Sequence, residues 1–112
     1  MSVSFNGFNE GVLTFEAAAG VAAGKPVMIS QSGKVQAVTS GAFCGICLNV
    51  REGYAAVQLS GYVTVPCSGT VNVGYQKLAA YTDGKVKVDA TNGREYLVVD
   101  VNAAAGTAGI IL

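Results

Sequence analysis

Three cysteines and fourteen charged side chains are most of the chemistry available to this chain of 112 residues, which has no histidine. Cys44-Gly45-Ile46-Cys47 is a C-x-x-C, the spacing of a zinc or redox motif. A zinc site needs about four ligands, and only Cys67 remains to be added. A thioredoxin-like pair needs its first cysteine at a helix N-terminus, where the thiolate is stabilised. Here the surrounding run Phe43–Val50 has strand character, and residues three apart in a strand point to opposite faces. The thiols are therefore expected to be reduced and to pack as small apolar groups.

Without histidine, neither a Ser-His-Asp nor a Cys-His arrangement can be assembled. The carboxylates Glu10, Glu16, Glu52, Asp83, Asp89, Glu95 and Asp100 fall mostly at predicted turns and strand ends, where solvation explains them. A domain this small leaves little room for a substrate cleft around a carboxylate pair. No enzyme is expected, and no catalytic, cofactor-binding or metal-binding residue is assigned. Two lysine turns, Gly33-Lys34-Val35 and Gly84-Lys85-Val86, supply an alternative: a small β-barrel binding or carrier module that presents a lysine at a hairpin tip. Neither lysine has the flanking Asp or Met common in such domains, and a solvated turn charge accounts for both.

The elements that would carry these residues are short and β-like. Fifteen glycines, two prolines and a charged fraction of 12% suit many strands joined by tight turns. Net charge is zero, so no basic face tracks a nucleic-acid backbone. No apolar run approaches 18 residues, and MSVSFNGFNE lacks the basic start and hydrophobic core of a signal peptide. The expectation is a product made in the host cytoplasm, with neither nucleic acid nor membrane as partner.

Taken in order, Met1–Glu10 reads as an arm carrying Phe5 and Phe8, and 11–112 as a single β domain. Gly11–Ala17 alternates as a half-buried strand, and Ala17–Gly24 reads as a loop. Pro26–Ser30 and Lys34–Val38 flank Gln31-Ser32-Gly33, where Gly33 supplies the positive φ of a hairpin. A meander follows: Phe43–Val50, a turn at Arg51-Glu52-Gly53, Tyr54–Leu59, and Tyr62–Pro66. The apolar end Gly109-Ile110-Ile111-Leu112 is tolerable only as a paired strand.

The chain then repeats its own grammar. Gly11, Thr14, Val21 and Gly24 recur as Gly61, Thr64, Val71 and Gly74. Gly33-Lys34-Val35 recurs as Gly84-Lys85-Val86, and Asn49, Gly53, Ala55 and Leu59 as Asn102, Gly106, Ala108 and Leu112. The predicted fold is all-β, a small barrel or sandwich of about 8–10 short strands built from similar halves, 11–60 and 61–112. Two half-barrels, neither able to bury its apolar face alone, are expected to close on each other.

The order of these elements resembles the capsid cement, or head decoration, proteins of tailed bacteriophages. The resemblance runs through Gly-Lys-Pro-Val-Met at 24–28, the Gly-Lys-Val hairpin at 33–35, and Cys-Gly-Ile-Cys-Leu-Asn-Val at 44–50. It continues through Ala-Val-Gln-Leu at 56–59, Gly-Tyr-Val-Thr-Val-Pro at 61–66, and the repeated cycle ending in Gly-Ile-Ile-Leu. It implies a virion structural protein on the outer surface of an assembled capsid, stabilising it by bridging neighbouring capsomers. The implied partners are the major capsid protein and the chain itself, most plausibly as a trimer. Phe5, Phe8, Tyr54, Tyr62, Tyr75 and Tyr81 are the expected contacts with capsid or subunit, because aromatic rings give large contact at low entropy cost. The arm is expected to become ordered against that partner.

Overall fold

Apolar alternation becomes ten strands in a computed structural model, which describes residues 11–112. The arm 1–10, with Phe5 and Phe8, lies outside the described residues. The first half holds β1 (Gly11–Ala17), β2 (Pro26–Gln31), β3 (Lys34–Ala37), β4 (Gly45–Arg51) and β5 (Tyr54–Ser60). The second holds β6 (Tyr62–Pro66), β7 (Gly74–Ala80), β8 (Val86–Val88), β9 (Arg94–Asn102) and β10 (Thr107–Ile111). The fold is all-β, with strands close to the predicted bounds and the expected division into similar halves.

Each half runs its five strands through the same circuit. In the first, β1-β3-β2-β4-β5 closes into a barrel, with β5 returning antiparallel to β1 and β1 lying parallel to β3. In the second, β6-β10-β9-β7-β8 is that circuit read in the other direction, and one parallel bridge, Cys67 to Val86, spans the seam. Hydrogen bonds repeat with it. Ala18 N–H donates to the Val35 carbonyl at 3.0 Å, and Ser68 N–H to Val86 at 2.8 Å. Ala17 N–H donates to Gly53 at 2.9 Å, and Cys67 N–H to Gly106 at 2.8 Å.

The ladders correct one part of the sequence alignment. β4 has a bulge between Cys47 and Asn49 facing β5, and β9 pairs Val98 with Ile110 but Asp100 with Gly109. Asn49 pairs with Ala56, so its counterpart is Asp100, whereas Asn102 pairs with Thr107 and matches Arg51. The extra residues lie in the β9–β10 turn, which runs from Asn102 to Thr107 where the first half turns from Arg51 to Tyr54. Length is tolerated there because a hairpin tip adds no unpaired backbone to the core.

Packing differs from the expected single shared centre. Val27, Val35, Cys47, Ala55 and Val57 fill the first barrel by themselves. Val65, Val71, Leu78, Val86, Tyr96, Val98 and Ile110 fill the second together with Phe43 and Ile46, which come from the first half. The reason is strand alternation: Cys47 faces into its own barrel, so its neighbour Ile46 faces out, and that outward face is covered by the second barrel. Two barrels therefore stand in tandem, one self-contained and one completed by its neighbour. Gln58, 2% exposed, fixes the joint by donating from Nε2 to the carbonyls of Ser60 at 3.0 Å and Tyr62 at 2.9 Å. The C-terminal strand β10 is paired on both sides, as its apolar sequence requires.

Candidate contact face of the second barrel

The three cysteines occupy different surroundings. Cys47 is buried in the first barrel, Cys67 packs against the second core, and Cys44 lies just before β4; all are free thiols. Burial pushes the Cys44 and Cys47 thiols above the ordinary range, which keeps them protonated and poorly nucleophilic. Among the described residues no group of three or more Cys, Asp or Glu is placed to hold a metal ion. Lys34 and Lys85 each follow a positive-φ glycine, Gly33 at 73° and Gly84 at 72°, and Lys34 is half-buried in the ladder opposite Gln31 and Glu16. No helix among the described residues is long and apolar enough to cross a membrane.

The tyrosines sort by cross-strand register. Tyr75 on β7 faces Leu97 on β9, Leu97 faces Ile111 on β10, and Ile111 faces Tyr62 on β6. Paired residues share a face of the sheet, so these four form one apolar row on the outside of the second barrel. Tyr75 is 69% exposed and the other three are half-buried. Val73, 63% exposed, precedes Tyr75 by two residues, and the pair Lys77–Glu95 lies on the opposite side of the row.

In the first barrel the same ladder row reads Val12, Gln58, Ile46 and Pro26. Its last three members are almost fully buried, with Ile46 inside the second core. The row that joins the two barrels thus has an open, tyrosine-bearing equivalent on the second.

No protein-family profile and no curated protein matches the chain. What the second barrel can do is therefore read from its own surface. Beside the apolar row lies a polar one: Thr64 on β6, Gly109 on β10 and Asp100 on β9. The Tyr62 hydroxyl donates to the Asp100 carboxylate, 3.1 Å from Oδ2 and 3.3 Å from Oδ1, and accepts from Thr64 Oγ1 at 3.2 Å. Gly109 makes the contact possible, because a Cβ there would collide with both Asp100 Oδ1 and the Tyr62 hydroxyl. A cleft of about 460 Å³ opens here, walled by Tyr62, Thr64, Asp100, Asn102, Ala103 and Thr107. A neighbouring hollow of about 280 Å³ shares Asn102 and Ala103 and reaches Cys67.

Of the expected contact residues, Tyr62 and Tyr75 come together on this face. Tyr54 stands elsewhere, 56% exposed on the first barrel between Glu16 and Arg51. Tyr81 lies just past β7 with the Lys87 ammonium 4.9 Å from its ring centroid. The fifth tyrosine, Tyr96, is internal: its ring stacks on Phe43 at 5.0 Å and its hydroxyl donates to the Phe43 carbonyl. Burial pushes its phenol above the usual value, so it remains a donor.

Asp100 was not singled out from the other carboxylates in the sequence. Tyr62 and Thr64, two apart, signal a common face, but the β9 bulge that places Asp100 beside them leaves no local mark.

Proposed function

We propose that this chain is a virion structural protein that binds the outer surface of an assembled bacteriophage shell and bridges neighbouring capsomers. The observation that carries the reading is the open row Tyr75–Leu97–Ile111–Tyr62, whose counterpart in the first barrel is consumed as an internal contact. A sheet face with aromatic and aliphatic side chains flanked by a polar rim is the composition of a binding surface. The order of strand motifs, which resembles that of phage cement proteins, supplies the kind of partner.

A protein that touches two capsomers at once binds only the assembled shell, and so stabilises that state by mass action. At a hundredfold excess over its dissociation constant the gain is about 2.7 kcal/mol per site. Self-association, as a trimer about a shell threefold, adds avidity by tethering three such faces. The arm 1–10 is assigned to the same partner, and its deletion is expected to weaken binding without unfolding residues 11–112.

Co-sedimentation with mature and immature phage shells tests the reading. Recovery with mature shells, and little with immature ones or free capsid subunits, is expected. Equal recovery from all three, or none from mature shells, overturns it.

A further inference from the structure

We propose that the cleft over Gly109 receives the guanidinium of an arginine carried by the partner, with the Asp100 carboxylate and the Tyr62 ring as its two walls. The inference rests on the reading of the second barrel as a contact face and names the partner chemistry that this face selects.

Asp100 is an exposed carboxylate whose hydrogen bonds come from Tyr62, and among the described residues no cation pairs with it. The nearest charged pair on the face, Lys77 and Glu95, lies on the far side of the apolar row and is matched within itself. Asp100 is thus one uncompensated negative charge on a face otherwise apolar or neutral. The Tyr62 hydroxyl reaches both carboxylate oxygens at nearly equal distances, which fixes the carboxylate in orientation. A fixed, two-oxygen acceptor beside an aromatic ring suits a planar guanidinium, which makes paired hydrogen bonds to a carboxylate and stacks on a ring. An ammonium offers neither feature, being a compact point charge.

The arrangement has a structural cost. Glycine within a strand gives up side-chain packing and entropy, and it stands at 109 because any side chain would displace the Tyr62–Asp100 pair. At the corresponding places the first barrel carries Ala56 for Gly109, Asn49 for Asp100 and Val12 for Tyr62. The identical strand circuit closes there without the cluster, so barrel closure does not require it.

Amide NMR titration of the full chain with N-acetyl-arginine amide, N-acetyl-lysine amide and methyl glucoside tests the site. Saturable shifts at Tyr62, Thr64, Asp100 and Thr107 are expected with the arginine probe, at least tenfold weaker with the lysine probe. Asp100→Asn should lose the arginine response by a similar factor while its remaining spectrum stays folded. Shifts from the glucoside alone, equal shifts from both cationic probes, or no response to arginine overturn the proposal. Shell co-sedimentation reads the two claims separately. Wild-type and Asp100→Asn chains binding mature shells equally removes the arginine site and leaves the shell reading standing. An arginine response with no shell binding does the reverse.

Discussion

The two barrels share a strand circuit, matched hydrogen bonds and a bulge in the same strand, yet they differ in how they are closed and what they leave uncovered. The first closes through paired β1 and β3 over a core of its own. The second is bridged at its seam by Cys67 and Val86 and takes Phe43 and Ile46 from the first to complete its interior. The connecting loops show the same division. Val38 and Asp89 occupy equivalent positions, with Val38 N–H donating to Pro26 at 3.2 Å and Asp89 N–H to Lys77 at 2.9 Å. After Val38 the chain delivers Phe43 into the second core, while after Asp89 it turns back on itself through Thr91 and Asn92. One pattern thus serves as a support in the first copy and as a display surface in the second.

The largest expected effect is at Phe43, the fully buried ring borrowed by the second barrel. Phe43→Ala should cost about 3–5 kcal/mol in chemical denaturation, from lost transfer energy and the cavity beneath Tyr96. Hydrogen exchange should quicken in β7 and β9 more than in β2 and β3. Equal loss of protection throughout would mean that the barrels open as one unit, and the division into supporting and supported halves would fail.

Ile46 sharpens the point, since it sits in the first barrel's strand but in the second barrel's core. Ile46→Ala should cost about 2–5 kcal/mol, with its exchange signature on β7 and β9. Val57→Ala, inside the first core, should place its signature on β1 and β4 instead. Similar exchange maps for the two variants would erase the distinction.

Gly109 and Ala56 test the exposed faces. Gly109→Ala forces a methyl between Tyr62 and Asp100 and should cost about 1–3 kcal/mol by overpacking. The converse Ala56→Gly should cost about 0.5–1 kcal/mol, the ordinary penalty of glycine in a strand. If Gly109→Ala were neutral by thermal denaturation, the cluster would not be held as tightly as its geometry indicates.

Much of this fold is legible in the chain because alternation, turn glycines and β-branched runs act locally. Gly33 at the first hairpin and the paired final strand follow from such signals. The internal repeat was visible as well, but its alignment slipped at Asn102, because identical asparagines drew together positions that the bulge and the longer turn keep apart. The two separate cores were hidden for another reason: nothing in Ile46 or Phe43 states which barrel they enter, since both sides of β4 are apolar. The Tyr62–Asp100 contact, 38 residues apart in sequence, depends on the register of three strands.

The smallest effect belongs to the loop after β8. Asp89 Oδ1 accepts from the backbone N–H of Asn92 at 2.9 Å and of Thr91 at 3.0 Å, and these bonds hold its carboxyl below the usual aspartate range. A carboxylate whose pKa is lower folded than unfolded contributes stability above the unfolded value, and that contribution fades as pH falls through the folded one. Unfolding midpoints should therefore decline below about pH 4, and part of that decline should vanish in Asp89→Asn, whose side-chain oxygen still accepts but does not titrate. Val38, at the equivalent place in the first barrel, has no group to titrate. Local exchange measured against pH should accordingly change in 89–93 and not in 38–44. A matching acid response in both loops would show that the two connections are not stabilised in the different ways their side chains dictate.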